Sequence, residues 1–147
     1  MIRRWCRTGM PMVALLAAAG CVNVTPLLAG HMEEVVVRES PRWFEPNKVA
    51  IVEVEGFIGG GGSWFLPGTS VADVKEKLKR AAADSSVRAV VLRINTPGGE
   101  AAASDTIFHE IMRFREETCR PVVAALVGTA ASGGYYAALA ADRIVAE

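Results

Sequence analysis

Two apolar runs, Ala89-Val90-Val91-Leu92-Arg93-Ile94 and Val122-Val123-Ala124-Ala125-Leu126-Val127, each lead into a glycine-bearing turn, and the stretch between them has a helical period. Runs this short and this continuously apolar suit central strands of a parallel sheet covered on both faces. From Ala101 to Glu117, Ile107, Ile111 and Phe114 share one helical face while Glu110, Arg113 and Glu117 take another. Strand, helix and strand in that order call for a crossover between parallel neighbours. The pattern begins earlier. Ala50, Val52 and Val54 alternate with Ile51, Glu53 and Glu55 from Lys48 to Gly56, as in a strand. Ser70 to Ala83 then forms a helix burying Val71, Val74, Leu78 and Ala81 or Ala82, with Ser70 as cap and Asp73 near the positive end of the dipole. Lys75, Lys77, Lys79 and Arg80 spread over its other faces, where solvation explains them. Tyr135 to Ala141 makes a third helix of small residues. The expected fold is α/β, built of repeated β-α-β units around a parallel sheet.

In such a sheet ligands bind at the carboxyl ends of the strands. Two motifs fall there: Thr96-Pro97-Gly98-Gly99, where the first run is expected to stop, and Gly128-Thr129-Ala130-Ala131-Ser132-Gly133-Gly134-Tyr135-Tyr136 after the second. Paired glycines permit a backbone approach that a side chain would block, so the first loop can aim amides at a ligand. Ser132 sits between a buried strand and a helix, with Ala130 and Gly134 two positions to either side. This is the pattern of a nucleophile elbow with Ala in the first glycine position. Asp105 and His109, spaced i and i+4, read as a surface pair on a helix.

Other chemistries find little support. Gly59 to Gly62 lead into Ser63-Trp64-Phe65 without the lysine of a phosphate cradle. Cys119, His31 and His109 match no zinc spacing, so neither a metal nor another cofactor is expected. Sixteen basic residues balance sixteen acidic ones with no basic cluster, which argues against a nucleic-acid partner. Cys119 reads as a free thiol near a helix end.

The N-terminus has a different character. Arg3, Arg4 and Arg7 precede an apolar run from Met10 to Ala19 and then Gly20-Cys21, the layout of a secretory signal. The run is about half the ~20 residues that cross a bilayer. Leu16 to Cys21 end in small residues and resemble a lipoprotein cleavage box, which implies acylation of Cys21, although Ala18 stands where that box usually has Leu. Ala17-Ala18-Ala19 also fits ordinary cleavage. The expected organisation is a signal peptide over 1–20, a tether over 21–47 with Val35 to Val37 as a short edge strand, and a domain over 48–147. The expected location is the membrane, on its extracytoplasmic (periplasmic) side, through a lipid anchor on Cys21.

"INTPGG" and "GTAASGGYYAALAADRIVA" resemble the S49 peptidases, the signal peptide peptidase or protease IV type of serine protease in the Clp-protease/crotonase-like superfamily. The resemblance runs from Lys48 to Glu147 and implies a Ser/Lys dyad acting on peptides, remnant signal peptides among them. Residue by residue, Ser132 matches the nucleophile, and Gly99 and Gly133 match the amides of an oxyanion hole. The family's lysine lies well beyond the serine motif, whereas Lys48, Lys75, Lys77 and Lys79 all precede Ser132. The general base is therefore absent from this chain, and the domain is expected to be incomplete at its C-terminal side. Two alternatives follow: a membrane-tethered scaffold assembling with complete relatives, and a crotonase-like acyl-CoA enzyme. An uncovered sheet edge would favour homo-oligomers.

Overall fold

The computed structural model describes residues 35–36, 47–59 and 68–147. The signal peptide, most of the tether, Cys21 and the Gly60 to Gly62 loop lie outside the described residues. Val35 and Val36 are exposed and belong to no strand, so the edge strand expected there does not form at those two residues.

From residue 47 onward the chain alternates strands and helices: β1 (Lys48–Gly59), β2 (Gly68–Ser70), α1 (Val71–Ala83), β3 (Val87–Gly99), α2 (Ala101–Thr118), β4 (Val122–Ala130), α3 (Gly133–Ala138) and β5 (Arg143–Ala146). The five strands form one sheet in the order β2-β1-β3-β4-β5, and every pair is parallel. The α/β architecture of repeated β-α-β units stands.

α1 starts where the sequence indicates, because the Ser70 side chain accepts the Asp73 N–H at 3.1 Å and the Ser70 hydroxyl donates to the Asp73 carboxylate at 2.7 Å. α2 ends at Cys119, which adopts a left-handed backbone with φ +53° and carries an exposed free thiol. α1 packs on α2 and α2 on α3, so the helices make one layer. Val52 and Val54 of β1, Val90, Leu92 and Ile94 of β3, and Val122 and Ala124 of β4 face that layer, together with Val74, Leu78, Ile107, Ile111 and Phe114 from the helices. Each of the larger side chains contributes about 1.5–3 kcal/mol by leaving water. The small Ala137 and Ala138 are fully buried and let α3 sit close to the sheet.

Two expectations require correction. β3 is covered on one face only among the described residues: Val91 and Arg93 are half-buried and Asn95 is exposed, as the alternate side chains of a strand must be when helices line a single face. Nor does β3 stop before the glycines. It remains paired with β1 through Gly98 and Gly99, opposite Phe57 and Ile58, across a register shift near Gly56. Pro97 falls in this irregular stretch, outside the paired positions, where a missing N–H is tolerated. Gly99 permits the continuation, since a Cβ there would collide with the Ile58 carbonyl.

Candidate active site

The ends of β3 and β4 are bound to one another through Asn95 and Thr96. The Asn95 carboxamide accepts the Thr129 N–H at 3.2 Å and stands against Gly128, whose φ is +98°. Thr96 is fully buried. Its carbonyl accepts the Ala131 N–H at 3.1 Å, and its hydroxyl donates to the Gly56 carbonyl and accepts the Gly98 N–H at 2.9 Å. One residue thus ties β3 to β1 through its side chain and to the turn after β4 through its backbone.

Ser132 occupies that turn with φ +49° and ψ −120°. Among the described residues, only Ser132 and Cys119 are non-glycines with positive φ. Unlike Cys119, Ser132 lies outside the left-handed helical well, in a sparsely populated region that costs on the order of 1–3 kcal/mol. Surrounding packing sustains it. Gly98, with φ +103°, lies so close that a Cβ would be 2.9 Å from both the Ser132 Cβ and the Gly133 nitrogen. Gly134 abuts the Thr96 methyl, and its N–H donates to the Ala131 carbonyl at 2.9 Å. The Ser132 carbonyl accepts the Tyr136 N–H at 3.0 Å, starting α3 two residues before the expected Tyr135.

Gly133 and Gly99 flank this serine. The Gly133 N–H is the first of α3 and has no acceptor within the helix. The Gly99 nitrogen lies 3.6 Å from where a Gly133 Cβ would stand. Beneath Gly133 is the buried Ser104 of α2, whose hydroxyl donates to the Glu100 carbonyl at 2.9 Å and fills the space that a Cβ would need. Gly99, Ala101, Ser104, Asp105, Ser132, Gly133 and Tyr136 line a cleft of about 400 Å³. The three residues singled out by sequence, Ser132, Gly99 and Gly133, therefore share one cavity.

Among the described residues no lysine lines this cleft. Lys48 pairs with Asp84 at 3.1 Å and Lys75 with Glu110 at 3.2 Å. Asp105 does line it, but its recorded hydrogen bond is from the Tyr136 hydroxyl, at 2.9 Å, and not from His109. That bond holds the Tyr136 phenol above its ordinary pKa. Among the described residues no group of acidic, histidine or cysteine side chains is arranged to hold a metal.

The chain and its parallel sheet find counterparts in known proteins. A family model described as Clp protease matches residues 68–145. The chain belongs to the Clp protease family. Proteases of the S49 type are among its relatives. Protease 4 of Haemophilus influenzae is 41% identical over 104 residues, which cover 69% of this chain and 16% of that protein. The chloroplastic serine protease SPPA of Arabidopsis thaliana is 38% identical over 104 residues, covering 69% of this chain and 15% of that one. This Clp-family chain thus corresponds to less than a fifth of either relative. Among solved structures, a membrane-bound stomatin-specific protease superposes with a TM-score of 0.54 at 23% identity, over 68% of this chain and 44% of that one, a likeness of fold.

Sequence reasoning did not single out Thr96, Ser104, Asp105 or Tyr136 for the site. Thr96 precedes the Pro-Gly-Gly motif and could have been marked as its anchor; the other three meet the cleft only through the packing of α2 and α3.

Proposed function

We propose that this chain supplies the nucleophile and the oxyanion site of a serine peptidase acting on peptides at the membrane, remnant signal peptides among its substrates. The observation that carries the proposal is Ser132 itself: an exposed hydroxyl on a positive-φ turn between a strand and a helix, wedged against Gly98 beside the amides of Gly99 and Gly133. Ser132 Oγ attacks the substrate carbonyl carbon, and the oxygen that gains charge is received by the Gly99 and Gly133 N–H groups. The leaving amine departs with a proton, and water releases the acyl group from Ser132. The proton taken from Ser132 needs a neutral amine, a lysine brought from ~10.4 toward neutrality by burial or by neighbouring charge. That lysine comes from further along a longer chain or from a second chain assembled on this one. Homo-oligomers would also cover the open sheet edges.

The membrane reading rests on residues 1–21 with Cys21 as lipid anchor on the periplasmic side; no helix among the described residues is long and apolar enough to cross a bilayer. The Haemophilus influenzae and Arabidopsis thaliana relatives, 41% and 38% identical, are both named as proteases, which favours peptide hydrolysis over the acyl-CoA alternative.

The test is peptide hydrolysis by this chain assembled with a full-length family member whose own nucleophile has been replaced by Ala. Hydrolysis should appear in the mixture and vanish with Ser132→Ala. Stable assembly without hydrolysis would instead favour the scaffold reading, and hydrolysis indifferent to Ser132→Ala would end the proposal.

A further inference from the structure

The wall of the cleft facing Ser132 carries a charge that the hydrolytic chemistry leaves unused. Asp105 lies on the exposed side of α2, five residues before Glu110, and lines the cleft. On the same helix, Glu110 is matched by cations, Lys75 at 3.2 Å and Arg113 at 3.0 Å. Asp105 has no such ion pair among the described residues; one oxygen accepts the Tyr136 hydroxyl at 2.9 Å. Tyr136 in turn stacks on Phe108, with ring centroids 4.9 Å apart and planes inclined at 21°. The cleft therefore combines a carboxylate lacking a cation with an aromatic ring fixed at both its hydroxyl and its face.

We infer that Asp105 and Tyr136 select a lysine or arginine side chain in the substrate residue that enters the cleft beside Ser132, an inference that rests on the peptidase reading above. The methylene stem of such a side chain would lie along the Tyr136 ring while its cationic head reaches the second Asp105 oxygen. Charge and ring act together here, since a cation over a tyrosine face is attracted by the ring as well as by the carboxylate. A glutamate in the same position meets like charge, and a leucine gains the ring alone. The Tyr136 to Asp105 hydrogen bond presets the geometry, because the phenol remains a protonated donor.

The test uses three fluorescent peptides identical except for a central Lys, Leu or Glu, with binding to the full chain followed by anisotropy. The Lys peptide should bind about three- to tenfold more tightly than the Leu peptide, the range expected of one partly exposed ion pair plus one ring contact. The Glu peptide should bind weakest, and high salt should narrow the spread. Asp105→Asn should bring the Lys to Leu ratio close to one. Asp84→Asn, which removes a carboxylate that does not line the cleft, should leave the ratio as it is. Equal binding of all three peptides, or a preference that survives Asp105→Asn, would overturn the inference while leaving the peptidase reading to its own hydrolysis test. No binding of any peptide would likewise overturn the inference, the peptidase reading being decided by hydrolysis in the assembly.

Discussion

Replacing Gly133 by Ala tests the packing beneath the serine turn. A Cβ at this position would overlap the Ser104 hydroxyl and stand 2.9 Å from the Ser104 Cβ. Ser104 has little freedom to yield, being 2% exposed and hydrogen-bonded to the Glu100 carbonyl at 2.9 Å. An added methyl in a filled core costs about 1–3 kcal/mol. For a domain of this size each kcal/mol lowers Tm by about 4–8 °C, so Gly133→Ala should melt several degrees to some 20 °C below the parent. Ser104→Gly removes the obstruction but loses a hydrogen bond and adds glycine to a helix, each at about 1 kcal/mol. The decisive quantity is the coupling between the two changes. Thermal or urea unfolding of the four proteins of the cycle should show the double variant about 1–2 kcal/mol more stable than the sum of the singles predicts. Gly133→Ala within about 0.5 kcal/mol of the parent, or strictly additive effects, would refute this packing and with it the origin of the Gly133 amide's position.

Other consequences follow from the same structure. Gly98→Ala should destabilise by about 2 kcal/mol or more in urea unfolding, because its φ of +103° is strained for any L side chain and its Cβ would stand 2.9 Å from the Ser132 Cβ. Asp84 has its pKa lowered from 3.8 to about 2, first by the Ser86 hydroxyl and N–H and then by Lys48. A lowered folded-state value means stabilisation that is present above the unfolded value and lost as acid passes through the folded one. Asp84→Asn should accordingly flatten the decline in Tm between about pH 4 and pH 2. The Tyr136 phenol, raised by its hydrogen bond to Asp105, should ionise later than an ordinary tyrosine in an ultraviolet titration, and Asp105→Ala should return it toward the usual value.

The sequence was most legible where period and capping chemistry agreed. β1, α1 and α2 could be read because apolar side chains recur at the spacing of their element and Ser70 caps α1. Punctuation misled at Thr96 to Gly99. Pro and Gly ordinarily end strands, yet the extension of β1 to Gly59 keeps this segment paired, and the lack of side chains on the glycines is what lets the backbones approach. β2 has three residues, too few for any period, and exists because Gly68 fits against the Phe57 backbone. β5 depends on contacts with β4 and on Asp142, whose carboxylate accepts the Val122 N–H at 2.8 Å and pairs with Arg115. The Ser132 elbow was visible because its requirement is local: small neighbours at a strand end. The Asp105 partner was not, since Tyr136 lies 31 residues away and meets it only when α3 docks on α2. Local spacing pointed instead to His109.

The central claim is that Ser132 is a nucleophile held in its strained turn for reaction. It is tested most directly by exposing this chain, assembled with the full-length family member that lacks its own nucleophile, to a fluorophosphonate and mapping the adduct by peptide mass spectrometry. The adduct should be found on Ser132 and disappear with Ser132→Ala. Modification spread over other hydroxyls, or no modification of Ser132 in an assembly that still hydrolyses peptides, would contradict the claim.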